Sequence, residues 1–329
     1  MKTKIDECIL DGIKNKAFPG CNYYYISENE SFFDSFGNKA LYPKVIKNDI
    51  NTLYDLASLT KVICTTTIIL ILIDKGMISL DDKVVKYLPE FKLKDITIRD
   101  LTSHQSGIAA DVKGSWILTK DEIRKNIMNM DYIYPPHSKV VYSDLGYITL
   151  GYVIETICLK PLDVVFKEMV ADKLGMVSST FNPKNIDLCA PTEVRNGIVD
   201  HGHVHDEKSY HMGGVAGHAG LFSNVFDLAI FARMVLNGGE YNGVRLISKK
   251  TLELIFTPQI ITPDVTRCVG WIKDLKTNSI YHTGFTGTYI LINRERKIAF
   301  IMLDNRVHPT RDNNLNSEYR MKLKQIIGV

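Results

Sequence analysis

DLASLTKV, residues 55–62, sets a serine and a lysine three positions apart at the start of the apolar run VICTTTIILILI (62–73). Gly76 follows that run, so the segment predicts a buried helix that begins near Ser58 and stops before the glycine. One reading makes Ser58 the N-cap of this helix. A capping box, however, places Glu or Gln where Lys61 stands, and a cation in the first turn opposes the helix dipole at a cost of about 0.3–1 kcal/mol. The other reading uses the same spacing chemically. Residues three apart share a helix face, so both side chains point into one cleft. There a desolvated lysine beside the dipole has its pKa lowered, exists as the free amine, and takes the proton from a serine hydroxyl that attacks a carbonyl carbon. Ser-x-x-Lys alone leaves both readings open, because many helices contain it by chance.

The rest of the chain bounds what such a site belongs to. Its 329 residues suffice for one elaborate domain or two smaller ones. Charged residues make up 23% and leave a net charge of +3, with no run of basic residues, which argues against a nucleic-acid partner or a polybasic membrane surface. The six cysteines (8, 21, 64, 158, 189 and 268) form no Cys-x-x-Cys pair, as expected of reduced thiols in a reducing compartment. MKTKIDECILDGIKNKAFPG, residues 1–20, reads as a short amphipathic helix and not as a signal peptide, and the run from Val62 to Ile73 is too short to span a bilayer. These features predict a cytoplasmic protein, or an exported one if a leader has been trimmed.

GCNYYYIS (20–27) and SFFDSFGN (31–38) are aromatic-rich and separated by a polar turn, which predicts paired strands. TYILINRERKIAFIMLD (288–304) is a second hairpin signal, and residues 315–329 then read as a helix. The sheet is therefore expected to draw on both ends of the chain. Between them lie helical patterns at 58–75, 121–130, 145–158 and 162–174, joined by Pro- and Gly-containing loops. An α/β fold of α+β type follows, with residues 1–76 and 215–329 in a lobe with an antiparallel sheet and 77–214 in an inserted, mostly helical lobe.

Two further motifs follow Ser-x-x-Lys in order. Tyr142-Ser143-Asp144 stands at the entry to a helix, and His282-Thr283-Gly284 lies on a probable strand. Enzymes with Ser-x-x-Lys use a second polar triplet and a Lys-Thr-Gly strand. With these three motifs the chain resembles the serine β-lactamase and D-alanyl-D-alanine carboxypeptidase (penicillin-binding protein) superfamily, specifically the class C-like branch with Tyr-x-Asn and often His-Thr-Gly. Segments 96–108, 213–239 and 304–311 look like connecting segments of the same branch. The resemblance implies a β-lactamase/transpeptidase-like fold, with an antiparallel sheet flanked by helices plus an all-helical lobe, and a site in the cleft between. It implies acyl transfer through Ser58, with Lys61 and Tyr142 handling the proton and no metal or organic cofactor. It implies an oxyanion hole from the backbone N–H groups of Ser58 and Phe285, and an edge strand that Gly284 lets approach the substrate closely. The alternatives are Tyr142 as a packing aromatic beside Pro135 and Pro136 and His282 as a satisfied strand histidine; the position of Tyr142 one motif after Ser-x-x-Lys, and the Thr-Gly directly after His282, favour the site reading of each.

Two departures from the pattern matter. Asp144 replaces asparagine, and a carboxylate that pairs with Lys61 raises the lysine pKa and shifts proton abstraction toward Tyr142. His282 replaces lysine and is only partly charged near neutral pH, so it holds a substrate carboxylate less firmly and leaves room for uncharged esters and amides. VDHGHVHDEKSYH (199–211) offers four histidines for a zinc site, but its order is not the metallo-hydrolase His-x-His-x-Asp-His, and the resemblance implies structural polar contacts there. GGVAGHAG (213–220) lacks the Gly-Lys-Ser/Thr of a phosphate loop. Asn224 and Asp227 read as helix-capping residues, and His104 and Ser106 as turn stabilisers. The expectation is a serine hydrolase acting on a small or peptidic acyl substrate. A catalytically silent binding protein is the second reading, kept open by Asp144, and a metal-dependent hydrolase a remote third.

Overall fold

The computed structural model describes every residue from Met1 to Val329. Nine strands form the main sheet: β1 (Gly20–Ile26), β2 (Ser31–Ala40), β3 (Ile46–Lys47), β4 (Ile260–Ile261), β5 (Thr266–Arg267), β6 (Ile272–Asp274), β7 (Ser279–Thr283), β8 (Tyr289–Asn293) and β9 (Ile298–Asp304). Their order is β4-β5-β6-β7-β8-β9-β1-β2-β3, with antiparallel neighbours throughout. The two ends of the chain meet where β9 pairs with β1, Tyr23 opposite Met302 and Tyr25 opposite Phe300.

The helices used below are α1 (Lys2–Lys14), α2 (59–74), α3 (Ile98–Thr102), α4 (Lys120–Met128), α5 (Asp144–Cys158), α6 (162–174), α7 (Glu207–His211), α8 (Val225–Leu236), α9 (Lys249–Leu252) and α10 (Asn316–Ile327). IAFIMLD of β9 is nearly all apolar because both faces of the sheet are covered. Phe300 and Met302 pack with Ile5 and Ile9 of α1 and Tyr319 and Leu323 of α10. Ile301 and Leu303 face the larger core, which holds α2, α5 and α8.

Residues 77–214 carry α3 to α7 and three two-residue strands. One of these, Thr180–Phe181, pairs with Leu221–Ser223, which also pairs with Tyr54–Asp55. The edge position expected for the His282-Thr283 strand is corrected: β7 is the fourth strand of nine, because residues 260–274 add β4 to β6 beyond it. No helix is long and apolar enough to cross a membrane.

α2 is buried all round from Leu59 to Leu72, so its polar side chains need partners inside the protein. Its threonines are satisfied from within: Thr65 donates to the Gly217 carbonyl at 2.6 Å, and Thr67 to the Val62 carbonyl at 2.9 Å. The first part of this helix, Lys61–Thr66, is wound as a π-helix, a wider turn often found at functional sites.

Candidate active site

Ser58 sits in the turn between strand Tyr54–Asp55 and α2, and that turn is held from several sides. Ala57 has φ of 45°, a left-handed conformation that costs a non-glycine residue about 1–3 kcal/mol and persists only where its surroundings enforce it. The buried Asp55 carboxylate accepts from Ala57 N at 2.8 Å and from His205 N at 2.7 Å. Burial nonetheless pushes its pKa up to about 6. Thr286 and Thr288 donate to the carbonyls of Asp55 (2.7 Å) and Leu56 (2.9 Å), so the loop after β7 clamps the nucleophile turn. A Cβ on Gly284 would lie 2.0 Å from Thr288 Oγ1 and 2.5 Å from Leu56 O. Gly284 thus lets this strand end approach the nucleophile turn closely.

Lys61 is fully buried, and its ammonium has three acceptors: Asp144 Oδ1 at 2.8 Å, Ser58 Oγ at 2.9 Å and the His218 carbonyl at 3.1 Å. Burial opposes the charge, but Asp144 and then Tyr142 outweigh it, and the pKa of Lys61 rises above its ordinary value. The free amine expected from the motif alone is therefore corrected to an ammonium, because Asp144 supplies the countercharge. Asp144 is held below the usual carboxylate range: burial raises it, and Lys61, His218 and Lys208 together prevail. Its Oδ2 lies 3.3 Å from Lys208, whose ammonium also meets Asp111 at 2.9 Å and Asp206 at 3.1 Å. His218 Nε2 completes the network 2.8 Å from Asp206. Asp144, Asp206 and His218 bring potential ligand atoms within 4.8 Å of one another, but the cation among these carboxylates is the Lys208 ammonium.

Tyr142 lines the pocket, 37% exposed, just before the N-terminus of α5, where the Ser143 hydroxyl caps the helix by accepting from Gly146 N. Its ring lies beside His104 (centroids 4.5 Å apart) and His282 (6.2 Å), with Lys61 Nζ 4.9 Å and the Arg267 guanidinium 5.3 Å from its centroid. His104 Nδ1 accepts from Ser143 N at 3.0 Å and so fixes the Tyr142-Ser143-Asp144 segment. His282 is buried with Nδ1 bound to the Thr283 carbonyl (3.0 Å), and burial, with Arg267 and Lys61 adding to it, holds its pKa well below the usual range. It is a neutral ring at pH 7.

The N–H groups of Ser58 and Phe285 donate to no protein acceptor. The Gly284 carbonyl, in the same peptide plane as the Phe285 N–H, accepts from Arg320 Nη2 at 3.3 Å and from Gly287 N at 3.2 Å. A trans peptide directs C=O and N–H to opposite sides, so these bonds aim the Phe285 N–H away from Arg320. Arg306 donates through Nε to the Phe285 carbonyl at 2.9 Å and stacks on its half-exposed ring. Ser58, Tyr142, Asp144, Thr283, Gly284 and Phe285 all line one open pocket of about 750 Å³, whose walls come from both segments of the chain distinguished above.

The four histidines of 199–211 are engaged separately. His201 bonds the Cys189 carbonyl, His203 faces Asp200, His205 bonds Glu193, and His211 bonds the Trp116 carbonyl. Asn224 caps α8 by accepting from Asp227 N. Lys208, His218, Arg267, Arg306 and Arg320 were not among the expected site residues, and His104 was read as a turn residue. Only the sequence neighbourhood of Lys208 to Asp206 and of Arg306 to the 304–311 segment hinted at them.

The family model described as Beta-lactamase matches residues 5–324. A protein of Escherichia coli (strain K12) named "Putative D-alanyl-D-alanine carboxypeptidase" is 32% identical over 346 residues, covering 89% of this chain and 79% of its own. A protein of Salmonella typhi with the same name is 33% identical, covering 91% and 82%. The octameric penicillin-binding protein homologue from Pyrococcus abyssi superposes with a TM-score of 0.81 at 23% identity, covering 99% of this chain and 77% of that one. EstCE1, a hydrolase with promiscuous acyltransferase activity, gives 0.81 at 17%, covering 99% and 98%. The fold is the β-lactamase/transpeptidase-like one, and with the family model spanning nearly its whole length, this chain belongs to the Beta-lactamase family of serine hydrolases.

Proposed function

We propose that the protein hydrolyses a small amide or ester through an acyl-Ser58 intermediate. The observation that carries this is the Ser58 hydroxyl beside the Lys61 ammonium at 2.9 Å, facing a pocket also lined by Phe285, whose N–H, like that of Ser58, has no protein acceptor. With Lys61 held as an ammonium, Tyr142 relays the proton, its oxygen accepting from the Ser58 hydroxyl as its own hydroxyl proton passes on to the leaving group. Ser58 Oγ attacks the carbonyl carbon, its proton passes to Tyr142, and the carbonyl electron pair moves onto oxygen opposite the two N–H groups. Collapse expels the leaving group, which takes the proton from Tyr142. Water then repeats the sequence on the ester, with Tyr142 taking its proton and Ser58 leaving. Asp144 holds Lys61 charged, and Thr283 and Gly284 form the wall beside the reacting carbonyl.

The neutral His282 favours substrates without a carboxylate at the position that Lys-Thr-Gly enzymes grip. β-Lactams, D-amino-acid peptides and small esters all contain the required carbonyl, and the names of the relatives include a D-alanyl-D-alanine carboxypeptidase and a hydrolase with promiscuous acyltransferase activity. Intact-mass spectrometry after mixing with penicillin or an activated ester, beside Ser58→Ala, tests the proposal. A Ser58-dependent adduct that decays with turnover supports the hydrolase. One that persists supports a dead-end penicillin-binding protein, and no adduct with either reagent removes Ser58 from the role.

A further inference from the structure

Beside the catalytic pocket lies a second, open groove of about 570 Å³, between the loop 109–118, α4 and the first turn of α5. Its apolar floor is made by Ala109, Val112, Leu118 and Met130, partly buried against the larger core, and by the buried Leu145. Asp111 belongs to both spaces. It lines the catalytic pocket with Ser58 and the groove with Val112, its Oδ2 accepting from Lys208 Nζ at 2.9 Å and its Oδ1 from Val112 N at 2.6 Å. The groove is also fastened to the catalytic motif. Ser143 Oγ donates to the Ala109 carbonyl at 2.6 Å and Asp144 N to the Ala110 carbonyl at 3.0 Å, while Leu145 in the groove directly follows Asp144, the partner of Lys61. Its position relative to Ser58 is therefore fixed by the fold.

The two spaces offer different chemistry. Around Ser58 the walls are mostly charged and amide side chains, with Ala57, Ala219, Phe285 and the Tyr142 ring as the apolar contacts. The groove floor is apolar and open to water, a surface that gains most by covering an apolar ligand. Tyr142 decides which part of a substrate reaches it. The Tyr142 ring stands among His104, His282 and Arg267, so a leaving group that takes its proton departs on that side. Asp144 turns Oδ1 to Lys61 and Oδ2 to Lys208, which leads on to Asp111 and the groove. The part of the substrate that stays on Ser58 is the part directed there.

We propose that this groove is a subsite for the acyl part of the substrate, taking an unbranched apolar chain that runs from Ser58 past Asp111 onto Val112, Leu118 and Met130. The proposal rests on the acyl-Ser58 reading above and narrows it to esters or amides of medium-chain apolar acids. The bonds made and broken are those already described, and the groove adds binding alone.

The test is turnover of p-nitrophenyl acetate, butyrate, hexanoate and octanoate, which share one leaving group, by the natural protein, Val112→Trp, Leu118→Gln and the Ser58→Ala control, with thermal unfolding of each. In the natural protein KM is expected to fall along the series and kcat/KM to rise about twofold per CH2 added, less than the roughly fourfold of full burial because the groove is open. Val112→Trp fills the groove and Leu118→Gln puts an amide on its floor. Each is expected to lower the octanoate-to-acetate ratio of kcat/KM about tenfold or more. A natural protein whose kcat/KM stays flat or falls with chain length overturns the proposal and gives the groove another occupant. So does a chain-length rise that survives in both folded variants, or a loss shared equally by acetate and octanoate, which marks a structural role. Ester cleavage that is no faster than in Ser58→Ala for any chain overturns the hydrolase reading and the subsite with it, whereas Ser58-dependent cleavage blind to chain length removes the subsite alone.

Discussion

An ammonium has three protons, and all three of Lys61 are taken by Ser58, Asp144 and His218. It therefore acts on Ser58 as a fixed charge and a donor, with no lone pair to receive a proton. Replacing Asp144 with asparagine removes the countercharge and lets burial lower the Lys61 pKa, so that the amine form appears at a lower pH. In Asp144→Asn, the Ser58 acylation rate, followed from pH 6 to 10, is expected to gain an alkaline rise that begins at lower pH than in the natural protein. Identical profiles would show that Asp144 does not set the state of the lysine. Ser58 and Lys61 were legible because their relation is local, three residues on one helix face. Arg267 and Lys208 were not, because what matters is the partner each has or lacks, and those partners come from distant segments.

At the level of elements, catalytic geometry rests on a loop and a helix that lock each other. The loop after β7 grips the turn before α2 through Thr286 and Thr288, while Arg320 of α10 holds the Gly284 carbonyl and so the direction of the Phe285 N–H. Removing one oxyanion donor costs about 100- to 1000-fold in kcat, and loosening its direction costs less. Arg320→Met is expected to lower kcat about tenfold with KM little changed, measured on an activated ester; a change in KM alone would deny Arg320 this role. The β1–β2 hairpin, the β8–β9 hairpin and α10 were readable because alternation and turn residues are short-range signals. β4 to β6 were not, since strands of two or three residues carry too little pattern, and missing them put β7 at the edge of the sheet. The π-helical start of α2 was equally invisible, because residues 58–75 carry the apolar pattern of an ordinary helix.

Across the whole molecule, one buried carboxyl ties the sheet to the site. Asp304, at the end of β9, accepts from Arg306 N at 2.9 Å and from Asn316 Nδ2 at 2.7 Å, and a Cβ on Gly287 would meet it at 1.8 Å. Burial pushes its pKa up to about 7 against the pull of Arg320. Its neutral form is thus favoured by folding. The stabilisation it gives is complete below the ordinary carboxyl range near about 4 and is lost as pH rises through 7, at no more than about 1.4 kcal/mol per pH unit. Asp304→Asn should therefore gain urea resistance relative to the natural protein between pH 4.5 and 7.5. A constant difference over that interval would place the pKa of Asp304 elsewhere. The pairing of β1 with β9 also sets an order in time. The aromatic strand of residues 20–26 leaves the ribosome long before its partner at 298–304, and Ser58 and Lys61 emerge long before Arg306 and Arg320. A nascent chain holds the nucleophile early but lacks the arginines that arrange its oxyanion donors, so acylating ability is expected to arrive late in synthesis and to be missing from prematurely terminated chains.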